Sequence, residues 1–264
     1  MRKKILSLAL ACLMIMTVFA TMVSADTAPF IFNGTGYDTL SEAIQAADTA
    51  GGGTITLNSA EFSTSATDCG VSNSNELSTE ITVSAGVTGA KITFAGADFV
   101  FGCNDTIIFD GLSLVHSSRR VQVDGGTNLV FKNCTVTGSG VSDEKGYYRT
   151  NDGTATSSIT VIGGTMTLQS GCAFGNSDPS QRVLNIKLDS TTINGGQGLT
   201  YKCNSMIDIH NSNVTVTKRT FRTTSGATIN VTGNSTLKDT STTATIDLKV
   251  ALSQTSILGQ MLNL

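Results

Sequence analysis

Along most of the chain, apolar and polar residues alternate in short runs, and each run ends in a two-residue polar step before alternation resumes. The phrase occurs six times: TIIFDGLSLV (106–115), NLVFKNCTVT (128–137), TMTLQSGCAF (165–174), NIKLDSTTIN (185–194), MIDIHNSNVTV (206–216) and TINVTGNSTL (228–237). Period-two alternation marks strands with one buried face. The last apolar residues before the steps are Phe109, Phe131, Leu168, Leu188, Ile209 and Val231, spaced by about 22, 37, 20, 21 and 22 residues. The second step residue is always Gly, Asn or Ser: Gly111, Asn133, Ser170, Ser190, Asn211, Gly233. Gly and Asn tolerate the left-handed backbone that a sharp corner demands, so the phrase recurs because every repeat turns the same corner.

A third short run lies between phrases: RVQVDGG (120–126), ITVIGG (159–164), LTYKC (199–203), FRTTSG (221–226) and IDLKV (246–250). Three strands and three turns in about 22 residues make one rung, and rungs must stack to bury their apolar faces. The expected fold is all-β: a parallel β-helix with Ile107/Phe109, Leu129/Phe131, Met166/Leu168, Ile186/Leu188, Ile207/Ile209 and Ile229/Val231 inward. The long spacing places an inserted loop at 138–158. Near the start, residues 37–53 read as a capping helix and its turn. Leu40, Ala43, Ile44 and Ala47 share a face, Asp38 or Thr39 caps it, Glu42 completes a capping box with Thr39, and glycines at 51–53 end it. Such a helix covers core and strand edge over the first rung. Residues 58–80 read as a long loop or a decorated first rung. No comparable cap is visible after the last repeat, which leaves end-to-end association through that rung as one partner expectation.

The first 25 residues stand outside this pattern. Arg2, Lys3 and Lys4 precede an apolar stretch, and Val23-Ser24-Ala25 is a small-residue cleavage site, so residues 1–25 read as a secretory signal peptide and 26–264 as one β-helix domain. An uncleaved anchor is the alternative, because the stretch is just long enough to span. Cys12 resembles a lipid-attachment site, but Ala9 stands where Leu is preferred and the apolar run continues past it. Cleavage predicts an extracellular or cell-surface protein without a membrane span. The formal net charge is −3, and loss of the leader's three cations makes the remainder more acidic. That balance offers no basic stripe for nucleic acid. Charged residues make up only 14%, and Thr, Ser, Gly and Asn take their place, a bias toward strands and turns. Five cysteines follow the leader, an odd number that forbids complete internal pairing, and no C-x-x-C pair supports zinc or redox chemistry. Cys134 and Cys172 are expected as adjacent, buried, free thiols on successive rungs. Cys103 and Cys203 share a corner several rungs apart.

The helix followed by GGGTITL, and then by rungs of about 22 residues, resembles the secreted right-handed parallel β-helix superfamily of pectate-lyase-like enzymes and adhesin-like surface proteins. The resemblance covers nearly all of the chain after the leader, and it is one of architecture. It implies a right-handed coil, as the crossover rule also does. The enzymes' signatures are missing. There is no paired-Asp step, no R-I-K run, no R-x-P-x-x-R and no Asp cluster suited to Ca²⁺, so no cofactor is expected, Ca²⁺ being an option that no motif supports.

One constellation carries candidate chemistry. The outward column of the first strands reads Ile108, Val130, Thr167, Lys187, Asp208, Asn230, and the neighbouring turn column reads Asp110, Lys132, Gln169, Asp189, His210, Thr232. Rungs about 4.8 Å apart bring Lys187, Asp189, Asp208 and His210 together on the face that bears the groove in β-helix lyases. In an enzyme, Lys187, Asp208 and His210 are the candidate catalytic residues, with Lys187 or His210 as proton acceptor. In a binding module, Lys132, Asp189 and the loop residues Tyr147, Tyr148 and Arg149 are the candidate ligand contacts, the tyrosines stacking on sugars. Arg119-Arg120 and Lys218-Arg219 with Arg222 read as solvated turns. Thr-rich columns resemble flat ice-binding solenoids, but Lys187, Asp208 and Asn230 break the ranks. The preferred reading is an adhesin-like module for polysaccharide or another surface. A polysaccharide lyase is second, and a structural module of a larger surface protein third.

Overall fold

The structure is a computed structural model, and it describes residues 27–71, 78–116, 120–138, 147–149, 155–176, 183–203, 206–218, 220–223 and 227–240. Residues 1–25, read from the sequence as a signal peptide, lie outside the described residues. Three sheets of ten, eight and seven strands run along the molecule, and apart from an N-terminal hairpin all their pairings are parallel, between successive rungs. The chain is a β-solenoid. Every rung but the last described one contributes one strand to each sheet: Asn128–Lys132 lies in the first sheet, Thr135–Gly138 in the second and Tyr147–Arg149 in the third.

The corner between the first and second sheets is built as the repeat demands. Gly111, Asn133, Gly163, Ser190, Asn211 and Gly233 all adopt left-handed backbone, with φ between 47° and 69°. Their amides form a ladder between rungs. Gly111 N–H donates to the Lys132 carbonyl at 2.9 Å, Asn133 to Ile162 at 2.8 Å, Gly163 to Asp189 at 2.8 Å and Ser190 to His210 at 3.0 Å. The turn thus satisfies the backbone groups that a corner would leave unpaired.

The inward stack differs from expectation at one rung. Phe109, Phe131, Val161, Leu188, Ile209 and Val231 stand in register, with Val161 in place of Leu168. Leu168 is buried, but in the second sheet, where it pairs with Gly138 and Gly195. The segment ITVI is the first strand of its rung and TMTL the second, so the surplus residues are divided between two rungs. Residues 147–149 of the expected loop 138–158 form a strand of the third sheet, and Ser157–Ile162 opens the next rung. Residues 139–146 and 150–154 lie outside the described residues. Two further rungs precede the six phrases. One runs through Gly53–Leu57, Glu61–Ser63 and Gly70–Val71, the other through Glu80–Ala85, Lys91–Phe94 and Phe99–Phe101.

Aromatic rings fill the solenoid near these first rungs. Phe94, Phe99, Phe101, Phe109, Phe131 and Tyr147 run in contact, with centroids 4.8–6.3 Å apart from Phe94–Phe99 to Phe131–Tyr147. Each buried Phe of this run contributes about 1.5–3 kcal/mol.

The N-terminal end is closed in two ways. Helix Leu40–Thr49 buries Leu40, Ala43, Ile44 and Ala47, as its periodicity predicts. Thr39 caps it by accepting the Glu42 amide at 3.1 Å. Asp68 adds a second cap, taking the Leu40 and Ser41 amides at 3.2 Å each together with the Ser41 hydroxyl, a carboxylate at the positive end of the helix. A hairpin absent from the sequence reading, Phe30–Phe32 with Thr35–Tyr37, pairs antiparallel with Gly53–Leu57 and blocks the edge of the first sheet. Its turn is Asn33-Gly34, both left-handed, the favoured hairpin pair. In the last described rung, Val231 and Leu237 are 43% and 39% exposed.

Candidate functional site

The face of the first sheet carries the predicted cluster. Lys187 pairs in register with Asp208, and Asp189 with His210. The columns they belong to contain Thr160 and Ile162 where Thr167 and Gln169 were expected, because of the shifted rung. Alternation projects Lys187, Asp189, Asp208 and His210 outward, and Lys187 and His210 are exposed.

Side-chain hydrogen bonds run along this face, both within a rung and between rungs. Asn230 Nδ2 donates to Asp208 Oδ1 at 2.6 Å. Ser190 Oγ donates to Asp189 Oδ1 at 3.0 Å. His210 is held at both ring nitrogens, with Thr232 Oγ1 3.0 Å from Nδ1 and Asn211 Nδ2 2.8 Å from Nε2. An amide nitrogen only donates, so Nε2 accepts from Asn211, while Nδ1 faces the Thr232 hydroxyl. Asn211 is itself fixed, because its Oδ1 accepts the Asn234 amide at 3.0 Å. The Lys187 ammonium has no side-chain hydrogen bond or ion pair among the described residues.

Farther up the face, Lys132 Nζ lies 2.8 Å from Asp110 Oδ2 on the neighbouring rung. That contact, and the carboxylate charge behind it, raises the Lys132 pKa above its ordinary value. The same columns hold Ile108 and Val130 beside this pair, and Ile162 at 38% exposure. A third sheet position adds a similar bridge: Arg120 Nε is 2.7 Å from Asp98 Oδ2. Burial opposes the Asp98 charge, but hydrogen bonds from the Arg120 backbone and guanidinium outweigh it and lower its pKa.

The remaining candidates do not join this site. Tyr147 is not on an exposed loop: it is 1% exposed, lies in the third sheet, and packs 4.8 Å from Phe131 and 5.1 Å from His116, centroid to centroid. Burial raises its phenol pKa far above the usual range. The backbones of Tyr148 and Arg149 pair with Gly175 and Asn176. Their side chains lie outside the described residues, as does that of Arg222. Cys134 and Cys172 are buried and neither is in a disulfide, but they are not neighbours. Cys134 sits at the corner after Asn128–Lys132, against Gly164 of the next rung, whereas Cys172 opens a strand of the third sheet. The pocket at the cap helix, lined by Ser41, Ile44, Gln45, Asp48, Gly70, Val71, Cys103 and Asp105, shares no residue with the cluster. Among the described residues, no group of three or more His, Cys, Asp or Glu side chains is placed to hold a metal ion.

Comparisons with protein-family models, with curated proteins and with solved structures find no match to this chain.

Proposed function

We propose that the chain is a secreted, adhesin-like β-solenoid that binds polysaccharide through the outer face of its first sheet. The observation that carries this reading is the state of His210. Both ring nitrogens are engaged by Thr232 and Asn211, and Asp208 is engaged by Asn230, so the residues suited to proton transfer are tied to neighbouring Thr and Asn side chains. What they build is a ladder of hydroxyl, amide and carboxylate groups repeating at the rung spacing, which suits a polymer that repeats too. Lys187 adds a cation for an acidic sugar. The leader supports secretion, and the solenoid architecture supports kinship with right-handed β-helix surface proteins.

A polysaccharide lyase is the second reading. It rests on Lys187, whose amine is unpaired among the described residues and stands across from Asp208, as a proton acceptor beside an acidic sugar would. A structural module is the third, supported by the exposed Val231 and Leu237, which suit end-to-end stacking of copies. A glycan array run beside a screen for unsaturated sugar ends separates the first two. Retention without product, weakened several-fold by Lys187→Ala, is the expected result. Product formation abolished by Lys187→Ala overturns the binding reading in favour of the lyase. Binding to no glycan, with assembly lost in Val231→Asp, points to the structural role.

A further inference from the structure

The second sheet presents a face of different character. Five successive strands, Ser113–His116, Thr135–Gly138, Thr165–Leu168, Thr192–Gly195 and Asn213–Val216, pair in parallel without a shift of register. Their outward side chains form two columns of five. The three central ranks are Thr135/Thr137, Thr165/Thr167 and Thr192/Asn194, and the flanking ranks contain Ser, Val, Asn and Thr. None of the ten is charged. The Glu61–Lys91 ion pair bounds the array at one end and Lys238 at the other. Lys187, Asp208 and Asn230, which interrupt the threonine pattern in the sequence, stand on the first sheet and do not enter these ranks.

We infer that this face binds the surface of crystalline water. The ranks repeat every ~4.8 Å along the solenoid and every ~6.7 Å along each strand, a two-dimensional array in which six of the ten side chains are threonine and Ser113, Val115, Asn194 and Asn213 are the rest. Its rank spacing is close to the lattice repeat of hexagonal ice. Threonine is stiff at χ1, so the array is ordered before it meets a partner and loses little entropy on binding. The face is electrically neutral where the neighbouring sheet is ionic, which matches a neutral occupant. Crystalline polysaccharide is also neutral and periodic, but an uncharged sugar face, unlike the acidic polymer proposed for the first sheet, has no charge to pair and stacks on aromatic rings, and none stands on these ten positions. A second copy of the chain would need apolar area to bury, and Val115 is the one apolar side chain among the ten. A crystal surface, by contrast, lets many weak contacts act together. This assignment concerns another sheet and another ligand than the polysaccharide reading, and neither depends on the other.

The test uses the full chain after leader removal. Thermal hysteresis, recrystallisation inhibition and partition into a slowly growing ice hemisphere are measured for the wild type, for Thr167→Tyr and Thr165→Lys, and for Thr82→Tyr on the first sheet as a control. Circular dichroism confirms that each variant keeps the fold. The wild type and the control should open a hysteresis gap and enter ice, and the two rank variants should lose at least tenfold in either readout. A folded wild type that freezes at its melting point and is excluded from ice overturns the inference. So does an ice effect that survives both rank substitutions. Retention on crystalline cellulose or chitin, or dimerisation by light scattering, lost in Thr167→Tyr without any ice effect, reassigns the face and also overturns it.

Discussion

The imidazole of His116 fills the space that a side chain at Gly138 would need. The two residues are partners across neighbouring strands of the second sheet, and a Cβ on Gly138 would run into His116 Cε1 and Nε2. The inward column reads Phe94, His116, Gly138, Leu168, Gly195, so large and small groups alternate after the first pair. Gly138→Ala should therefore lower stability by about 1–3 kcal/mol, as overpacking does. Adding His116→Ala should restore part of the loss, because residues in contact are not additive. Urea unfolding of the two single variants and the double variant checks this; a Gly138→Ala protein as stable as wild type would remove the steric account.

Acid should act on the same place. His116 is 1% exposed, and burial lowers its pKa from 6.5 to about 4. Its near neighbour Tyr147 is kept neutral by its own burial. The unfolded chain therefore binds this proton more readily than the folded one. The contribution to stability is complete above the unfolded value and falls as pH drops from about 6.5 toward about 4, by roughly 3 kcal/mol in all. Below that window it falls no further. Unfolding free energies compared at about pH 7 and about pH 4.5 should show the loss in wild type and a much smaller one in His116→Leu. Equal slopes would assign the acid sensitivity to carboxylates instead.

The corner phrase was legible because it is a backbone requirement written into residue type, and five of the six predicted corner residues take the left-handed conformation. The sixth, Ser170, does not, and Gly163 turns that corner instead. Alternation alone could not separate them, since ITVI and TMTL bury the same kind of side chain and every sheet of a solenoid has the same period. Tyr147 escaped for a related reason: a three-residue strand inside polar text has no period to detect. The charged cluster followed from the 21-residue step between Ile186 and Ile207, which fixes register and hence neighbours. The bonds from His210 to Thr232 and Asn211 depend on side-chain torsions, which a pattern of residue types does not encode. The neutral threonine ranks were hidden by the same shifted rung, which mixed residues of two sheets into one column.

Ser190 and Gly163 turn the same corner with different ease. Ser190 has φ of 54°, a conformation that costs a residue with a Cβ roughly 1–2 kcal/mol. Ser190→Gly should relieve part of that cost and raise the midpoint of thermal unfolding, less the looser unfolded chain that Gly brings. Gly163 has φ of 64°, and a Cβ there would lie 2.6 Å from Asn133 Oδ1. Gly163→Val should lower the midpoint by several degrees. Calorimetry on both variants decides the matter, and a Gly163→Val protein that melts with wild type would contradict the corner assignment.

The thiols offer a test of the rung assignment that needs no mutation. Burial pushes the Cys103 and Cys134 thiols up to about 11, and Cys134 Sγ donates to the Phe109 carbonyl at 3.2 Å. A thiol that holds its proton and faces no solvent reacts slowly, because the thiolate is the nucleophile. Cys69 is exposed. An aromatic disulfide reagent at neutral pH should label Cys69 first, and Cys103, Cys134 and Cys172 only as the chain unfolds, with peptide mapping to identify each site. Mild oxidation of the folded protein should leave Cys134 and Cys172 unjoined, since one sits at a corner against Gly164 and the other in the third sheet. A Cys134–Cys172 disulfide formed in the native state would show that the two share a column after all, and that the rung runs in the phase TMTL first. Rapid native labelling of Cys134 would mean instead that the corner between the first two sheets opens to solvent.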